Sequence, residues 1–405
     1  MKLLVWFGAF FALGWSVVAA PLIVDHTCVD LYTNLTSADI VRVKSMWVDI
    51  LGASHSLGYR VGCQLLENQD PRFQVNATES GPMESYTTNH LRISRAYWYG
   101  GWGYGGNEKT WYTSAADIEL TKAHLSYSNT NGYRLSVFGY GWSWQPSWHN
   151  LPGGPIDPTH HVQWAGSSEG GPDGDLRWGL DASSYNVTSN RVSMDTYLEA
   201  TEQYRRHCRS NGYGTTVIFT TAPVDYLGDA AYQAYLKNNH IRSYVSNTTD
   251  AVLFDYADIL CWDDFGNRKT NGWTDLAGNS KFYEWIAGDN YLNLDGNFGG
   301  GRPEHIGERG ELRLAKALWY MLARLSESTE PEPPFTPAIS ITSDSHIAIQ
   351  WPSQVDAVYS ILHSADLASD GWAVLASGIA ATPPMNSYTG AVSRAQSAWF
   401  RVRKD

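Results

Sequence analysis

The chain has 405 residues and a formal net charge of −12, with 29 Lys and Arg against 41 Asp and Glu. Its basic residues form no cluster, so a phosphate-backbone partner is excluded and no nucleic acid is expected. The length suits one large domain with a small one, and 18 Trp and 24 Tyr supply rings that either line a sugar-binding groove or fill a loop-rich core.

In chain order, Lys2 precedes an apolar run from Leu3 to Ala20 that ends in Val-Val-Ala-Ala. This reads as a secretory leader over residues 1–20, cleaved near Ala19 or Ala20, and it implies a secreted or periplasmic location; an uncleaved anchor is the alternative. No later run is apolar enough to span a bilayer, so no membrane role beyond the leader is expected. Cys28, Cys63, Cys208 and Cys261 allow one or two disulfides in an exported chain, with free buried thiols as the alternative. No CxxC or Cys/His metal pattern is present, and neither a metal nor another cofactor is expected. Asn34, Asn76, Asn186 and Asn247 each open an Asn-x-Ser/Thr site, a glycan acceptor only in a eukaryotic secretory route.

From about Pro21 to Leu325, apolar strand-like runs alternate with helical periodicity. The strand candidates are Trp47 to Leu51, Leu91 to Trp98, Leu135 to Gly139, Thr215 to Thr221 and Ala251 to Phe254. Helices are expected over Ala115 to Tyr127, Met194 to Arg209, Ala230 to Ser246, and a closing segment whose stripe is Leu312, Ala315, Leu318, Trp319, Leu322 and Leu325. Such alternation argues for a parallel α/β sheet covered by helices on both faces, with ligands at the carboxyl ends of its strands.

One of those ends stands out. The run Met46 to Leu51 meets Gly52, which permits a sharp turn, and Ser54 then opens a segment in which Leu57, Val61, Leu65 and Leu66 recur at helical spacing. Ser54 is therefore set at a helix N-terminus, where unpaired backbone N–H groups, those of Ser54 and His55 among them, stabilise an oxyanion beside the hydroxyl. Near the far end of the same region, Glu304-His305-Ile-Gly-Glu-Arg-Gly310 leads directly into the closing helix. A serine nucleophile needs a base, and His305 is the candidate.

With Gly52-Ala53-Ser54-His55 after the first strand and His305 before the last helix, the order of elements resembles the SGNH (GDSL-like) hydrolases. The family's Gly-Asp-Ser-x is here Gly-Ala-Ser-His, and its acid three residues before the histidine is here Arg302. The resemblance implies a flavodoxin-like three-layer α/β/α parallel sheet, Ser54 as nucleophile and His305 as base. In place of Arg302, Glu304 is the candidate for orienting the imidazole, with Asp263 or Asp264 as alternatives. The family also uses a glycine after the second strand and an asparagine after a later one as oxyanion donors. Gly100 or Gly101 occupies the first position, and the Gly139 to Trp144 turn occupies the later one without a Gly-x-Asn-Asp motif. Backbone N–H groups at Gly141 or Trp142 are the donors expected there.

The insertion from Trp142 to Tyr185 is dense in Trp, Gly and Pro and reads as a lid or wall over the catalytic face. Trp142 and Trp144 are its candidate substrate-binding rings. His149, Asp157, His160 and His161 match no metal motif and read as packing or hydrogen-bonding residues, with a metal site as the minority alternative. After Leu325, a Pro/Glu-rich linker over 326–336 leads to short alternating strands over 337–405, expected to form a small β-sandwich. It resembles the fibronectin- or immunoglobulin-like modules of secreted bacterial proteins through Trp351, Tyr359, the Ala-Thr-Pro-Pro stretch and the final Phe-Arg-Val. The residues together favour a secreted serine esterase acting on an acylated carbohydrate or other ester. The alternative is a non-catalytic carbohydrate-binding protein on the same fold.

Overall fold

The structure, a computed structural model, describes residues 20–52, 54–79, 83–95, 115–142, 156–164, 166–167, 176–177, 179–180, 194–224, 227–290, 306–329, 338–343, 346–353, 358–364, 372–382, 385–391 and 399–404. The expected leader, apart from Ala20, lies outside them. The chain divides into two compact units, one running to Ser326 and the other starting at Glu327. Among the described residues no helix is long and apolar enough to cross a membrane.

The first unit opens with β1 (Leu22–Val24), α1 (Ser37–Lys44), β2 (Trp47–Leu51), α2 (Ser54–Gln69), β3 (Val75–Thr78), β4 (Leu91–Ser94), α3 (Ala115–Thr130) and β5 (Val137–Tyr140). A small ribbon of β6 (Gly166–Ser167) and β7 (Leu176–Arg177) precedes α4 (Met194–Ser210), β8 (Thr216–Val217), β9 (Phe219–Thr220), α5 (Gly228–Ser246), β10 (Val252–Phe254) and α6 (Tyr256–Cys261). An antiparallel hairpin, β11 (Thr270–Thr274) and β12 (Ser280–Glu284), and then α7 (Glu308–Thr329) complete it.

Strands β3-β4-β2-β5-β8 form one parallel sheet and β1-β10-β9 another. Ile218 alone separates β8 from β9, and its N–H donates to Phe138 O at 2.9 Å, so the two run on as a single sheet. Counted from β2, the five central strands lie in the order second, first, third, fourth, fifth. That is the flavodoxin-like order, whose switch point falls beside the first strand.

Side chains alternate along these strands and feed two cores. Val48 and Ile50 of β2 join Tyr59, Cys63 and Leu66 of α2 and Leu314, Leu318 and Trp319 of α7. Trp47 and Leu51 point the other way, to Leu125 of α3, Tyr197 and Tyr204 of α4, and Ile241 of α5. Helices thus cover both faces in three layers, as the strand and helix periodicities demand. Helices α2 and α7 approach closely because α2 has no side chain at the seam: a Cβ on Gly62 would lie 2.0 Å from Glu311 O.

All four cysteines are free and buried. Burial pushes the Cys63 and Cys208 thiols up to about 12, which leaves them unreactive at neutral pH.

The second unit contains β13 (Ala338–Ser343), β14 (His346–Pro352), β15 (Val358–Ser364), β16 (Ala373–Ala380), β17 (Met385–Ala391) and β18 (Trp399–Lys404). They form two antiparallel sheets, β13-β14-β17 and β16-β15-β18. Ile347, Ile349 and Trp351 of the first meet Tyr359, Ile361 and Val402 of the second in one core, the arrangement of a β-sandwich.

Candidate active site

Strand β2 ends at Leu51, and the chain turns through Gly52 at φ +139° into α2. A Cβ at Gly52 would stand 2.2 Å from Gly141 O and 2.8 Å from Ser56 Cβ, so both the space and the backbone angle require glycine. Ser56 Oγ donates to Ile50 O at 2.9 Å, which ties the first turn of α2 to its own strand. The turn lies beside the end of β5, at the crevice where the strand order reverses and where open α/β sheets bind ligands. The backbone of Ser54 is the first residue of α2. His305, Glu304, Arg302, Trp144, His149, Gly100 and Gly101 lie outside the described residues.

Two candidates at the end of β5 have other engagements. Gly141 N–H donates to Leu51 O at 2.5 Å. It continues the ladder between β2 and β5 and is not aimed at an oxyanion. The Trp142 ring is 4% exposed, lies 4.6 Å from the Tyr197 ring and donates from Nε1 to Thr220 O at 2.9 Å. It is a core residue here, not an exposed platform for a sugar. His55 is likewise buried, edge-on to Tyr256, whose hydroxyl is 3.4 Å from its Nδ1.

Both alternative acids hold partners of their own. Asp263 accepts from the N–H groups of Phe265 and Asn267 at 2.9 and 2.8 Å, and these bonds organise a turn. Together with the Asn267 amide they hold its carboxyl below the usual range. Asp264 pairs with Arg313 Nη1 at 2.6 Å. Neither is committed to an imidazole among the described residues.

In the insertion, Asp157 accepts from Thr159 N, His160 N and Trp164 Nε1 at 2.7, 3.0 and 2.8 Å. His160 lies edge-on to Trp164, and His161 Nδ1 is 3.1 Å from Asp275 Oδ2. Val162 and Trp164 pack on Ala231, Tyr232 and Tyr283. These contacts build a wall from hydrogen bonds and rings.

Three polar networks were not anticipated. Asp49 and Ser94 face each other across β2 and β4; Ser94 Oγ donates to Asp49 Oδ1 at 2.7 Å, and His124 Nε2 lies 2.9 Å from Oδ2, all in the core. The serine touches the carboxylate and not the imidazole, so this is no nucleophile-base pair. It satisfies a charge inside a strand. A charged residue within the run Trp-Val-Asp-Ile-Leu was the available signal. Beyond β10, Arg242 donates to Asp255 at 2.6 and 2.8 Å and to Glu284 at 2.9 and 3.0 Å. The third network, around Arg60, flanks the Gly52 turn: Arg60 Nε donates to Glu79 Oε1 at 2.5 Å and Nη1 to Ser56 Oγ at 3.1 Å.

Among the described residues, metal-type ligand atoms converge at two places, in Asp25, His26 and Asp258 and in Asp258, Cys261 and Glu284, within 4.8 Å in each group. In the first, Asp258 Oδ2 already accepts from His26 N at 3.0 Å and lies beside Nδ1 of the same residue. In the second, Arg242 and Arg268 both hold Glu284, and two guanidinium groups disfavour a cation there.

No family model matches this chain, and no curated protein matches it. Among solved structures, the chain is similar to a xyloglucanase of glycoside hydrolase family 44 from Paenibacillus polymyxa at 9% identity, over 72% of this chain and 50% of that one, with a TM-score of 0.19. It spans about half the length of that enzyme. A maltotriose-bound variant of AmyP is similar at 10% identity, over 92% of this chain and 89% of that one, with a TM-score of 0.15. Scores this low transfer neither fold nor chemistry.

Proposed function

We propose that the chain is a secreted serine ester hydrolase of the SGNH type that removes acyl groups from a carbohydrate, with Ser54 as nucleophile and His305 as base. The observation that carries this reading is the position of Ser54. It opens a 16-residue helix at the carboxyl end of the first central strand, beside the switch point, behind a turn that only glycine can make. A second contact supports the base. Ile306 follows His305 in the chain, and its Cδ1 would be 2.5 Å from a Cβ on Gly58; Gly58 is about one helical turn, roughly 5.4 Å, from Ser54. The chain at Ile306 therefore packs on the first turns of α2.

In this mechanism His305 takes the Ser54 proton as the hydroxyl attacks the ester carbonyl. The proton then passes to the leaving alcohol, and water, activated by the same imidazole, releases the acyl group. The oxyanion is held by N–H groups of the first turn of α2, because Gly141 is occupied by the sheet. Glu304 is the acid proposed to orient the imidazole. The leader supports export, and the β-sandwich is read as an accessory module.

The test is a panel of short-chain aryl esters and acetylated polysaccharides against the full chain and Ser54→Ala. Turnover is expected for the wild type and to fall by roughly a thousandfold or more in the variant with its melting temperature unchanged. An equally active Ser54→Ala variant refutes the nucleophile, and a wild type inactive on every ester refutes the hydrolase.

A further inference from the structure

The first of the two ligand clusters, Asp25 with His26 and Asp258, is assembled by the sheet. His26 and Asp258 are 232 residues apart, so no sequence motif links them. Strands β1 and β10 are parallel neighbours, and Asp255 N–H donates to Val24 O at 2.8 Å where both strands end. Asp25 and His26 follow β1 directly, and Asp258 lies in the first turn of α6, just after β10. All three residues thus stand on the carboxyl edge of the sheet, where open α/β folds bind ligands. Across β5, β8 with β9, and β10, strand β1 lies four strands from β2, roughly 19 Å at about 4.8 Å per strand. The cluster is separate from Ser54.

Each ligand is oriented by a contact that leaves a lone pair for a cation. Asp25 Oδ1 accepts from Thr27 N and Thr27 Oγ1 at 2.9 and 2.6 Å, whereas its Oδ2 makes no hydrogen bond among the described residues. Asp258 Oδ2 accepts from His26 N at 3.0 Å and faces His26 Nδ1 at 2.5 Å, while its Oδ1 meets Trp262 Nε1 at 3.3 Å. The His26 ring stacks on Trp262, with centroids 3.9 Å apart and planes 10° from parallel, which fixes the direction of its nitrogens. All three residues are half-buried, so a solvent ion can reach them. Among the described residues, no lysine or arginine forms an ion pair with Asp25 or Asp258. The charge of Arg242 reaches Asp258, but that guanidinium is held by Asp255 and Glu284, and Arg268 also holds Glu284. Four carboxylates therefore stand against two guanidinium groups, and the excess attracts a cation.

We propose that Asp25, His26 and Asp258 bind one zinc ion, through His26 Nδ1 and one oxygen of each carboxylate, with solvent in the fourth position. One imidazole and two carboxylates suit zinc, and three protein ligands make an open zinc site. The ligand atoms lie within 4.8 Å of one another, and bonds of about 2.0–2.2 Å at tetrahedral angles set such atoms about 3.3 Å apart. The 2.5 Å between Nδ1 and Oδ2 is the separation of a shared proton. Zinc takes the Nδ1 lone pair, the ring proton resides on Nε2 instead, and the two atoms part by about 0.8 Å. The site is independent of the ester hydrolase reading, because zinc binding is measured without substrate.

The experiment treats the full chain with EDTA, removes the chelator, and titrates zinc chloride by equilibrium dialysis while the melting temperature is followed in parallel. Magnesium chloride and calcium chloride are the controls. The wild type is expected to bind one zinc per chain and to melt at a higher temperature with it, with no comparable effect of the two ions that take oxygen ligands. His26→Phe keeps a ring for Trp262 and removes the nitrogen. Asp25→Asn keeps an acceptor for Thr27 and removes the charge. Each should weaken zinc binding by at least the roughly 10- to 100-fold that loss of an outer-shell partner costs, and Asp25→Asn decides alone if His26→Phe does not fold. A wild type that binds no zinc overturns the site. Zinc bound equally by the wild type and by the folded variants places the ion elsewhere and overturns it too. Calcium bound as tightly as zinc overturns the imidazole as a ligand.

Discussion

Glu311 ties the stability of the first unit to pH. It lies in the first turn of α7, fully buried, with no hydrogen-bond partner for either carboxyl oxygen, against the Gly62 seam that joins α7 to α2. Burial first, and then the charge of Glu308, push its carboxyl up to about 8 from an ordinary 4.5. The helix dipole favours a carboxylate at this position by about 0.3–1 kcal/mol, but a rise to about 8 means that burial wins. The folded protein therefore keeps a proton that the unfolded chain has lost, and stability falls as pH rises from about 4.5 to about 8, then levels off. At about 1.4 kcal/mol per pH unit, the loss reaches roughly 3 kcal/mol at pH 7 and roughly 5 kcal/mol above pH 8. Glu311→Gln keeps the shape and a comparable polar group but cannot ionise. The variant should match the wild type near pH 4.5, exceed it by about 3 kcal/mol at pH 7, and show a flatter dependence between. Urea denaturation of both proteins at several pH values from 4.5 to 8.5, read at unchanged m-value, measures this. Parallel pH profiles for the two proteins would refute the reasoning.

Lys237 should act in the opposite direction: burial lowers it to about 7, so its contribution grows as pH rises from about 7 towards its unfolded value near 10.5, and Lys237→Met should remove that rise in melts between pH 7 and 9.5. Arg242→Met takes the guanidinium from buried Asp255 and leaves Glu284 with Arg268 alone, and it should cost about 3–5 kcal/mol in chemical denaturation. Gly52→Ala forces a Cβ into Gly141 O at a φ of +139°; it should destabilise the first unit by roughly 2–4 kcal/mol and lower ester turnover together with the melting temperature.

Periodicity and turn chemistry are local, and whatever they encode is legible in the chain alone. The apolar run Trp47 to Leu51, the glycine after it and the stripe of α7 from Leu312 to Leu325 depend on neighbours one to four positions away, and they appear as β2, the Gly52 turn and α7. Strands β1 and β3 escape such a reading because runs of three and four residues at sheet edges carry little periodic signal. Leu91 to Ser94 likewise stops short of the longer strand that its composition suggests. Roles that depend on a partner far along the chain were decided by tertiary structure. Trp142 looks like a sugar platform until Tyr197 and Thr220 enclose it, and Gly141 looks like an oxyanion donor until register gives its N–H to Leu51. Asp264 looks like a free acid until α7 brings Arg313 to it. Asp49 states only that some partner must exist; the parallel pairing of β2 with β4 and the packing of α3 supply Ser94 and His124. The sequence alone thus determined where the central strands, the Gly52 turn and the long helices lie. Which polar groups remain available for chemistry was decided by long-range pairing, because a hydrogen bond or ion pair made elsewhere in the fold removes a donor or acceptor that composition leaves open.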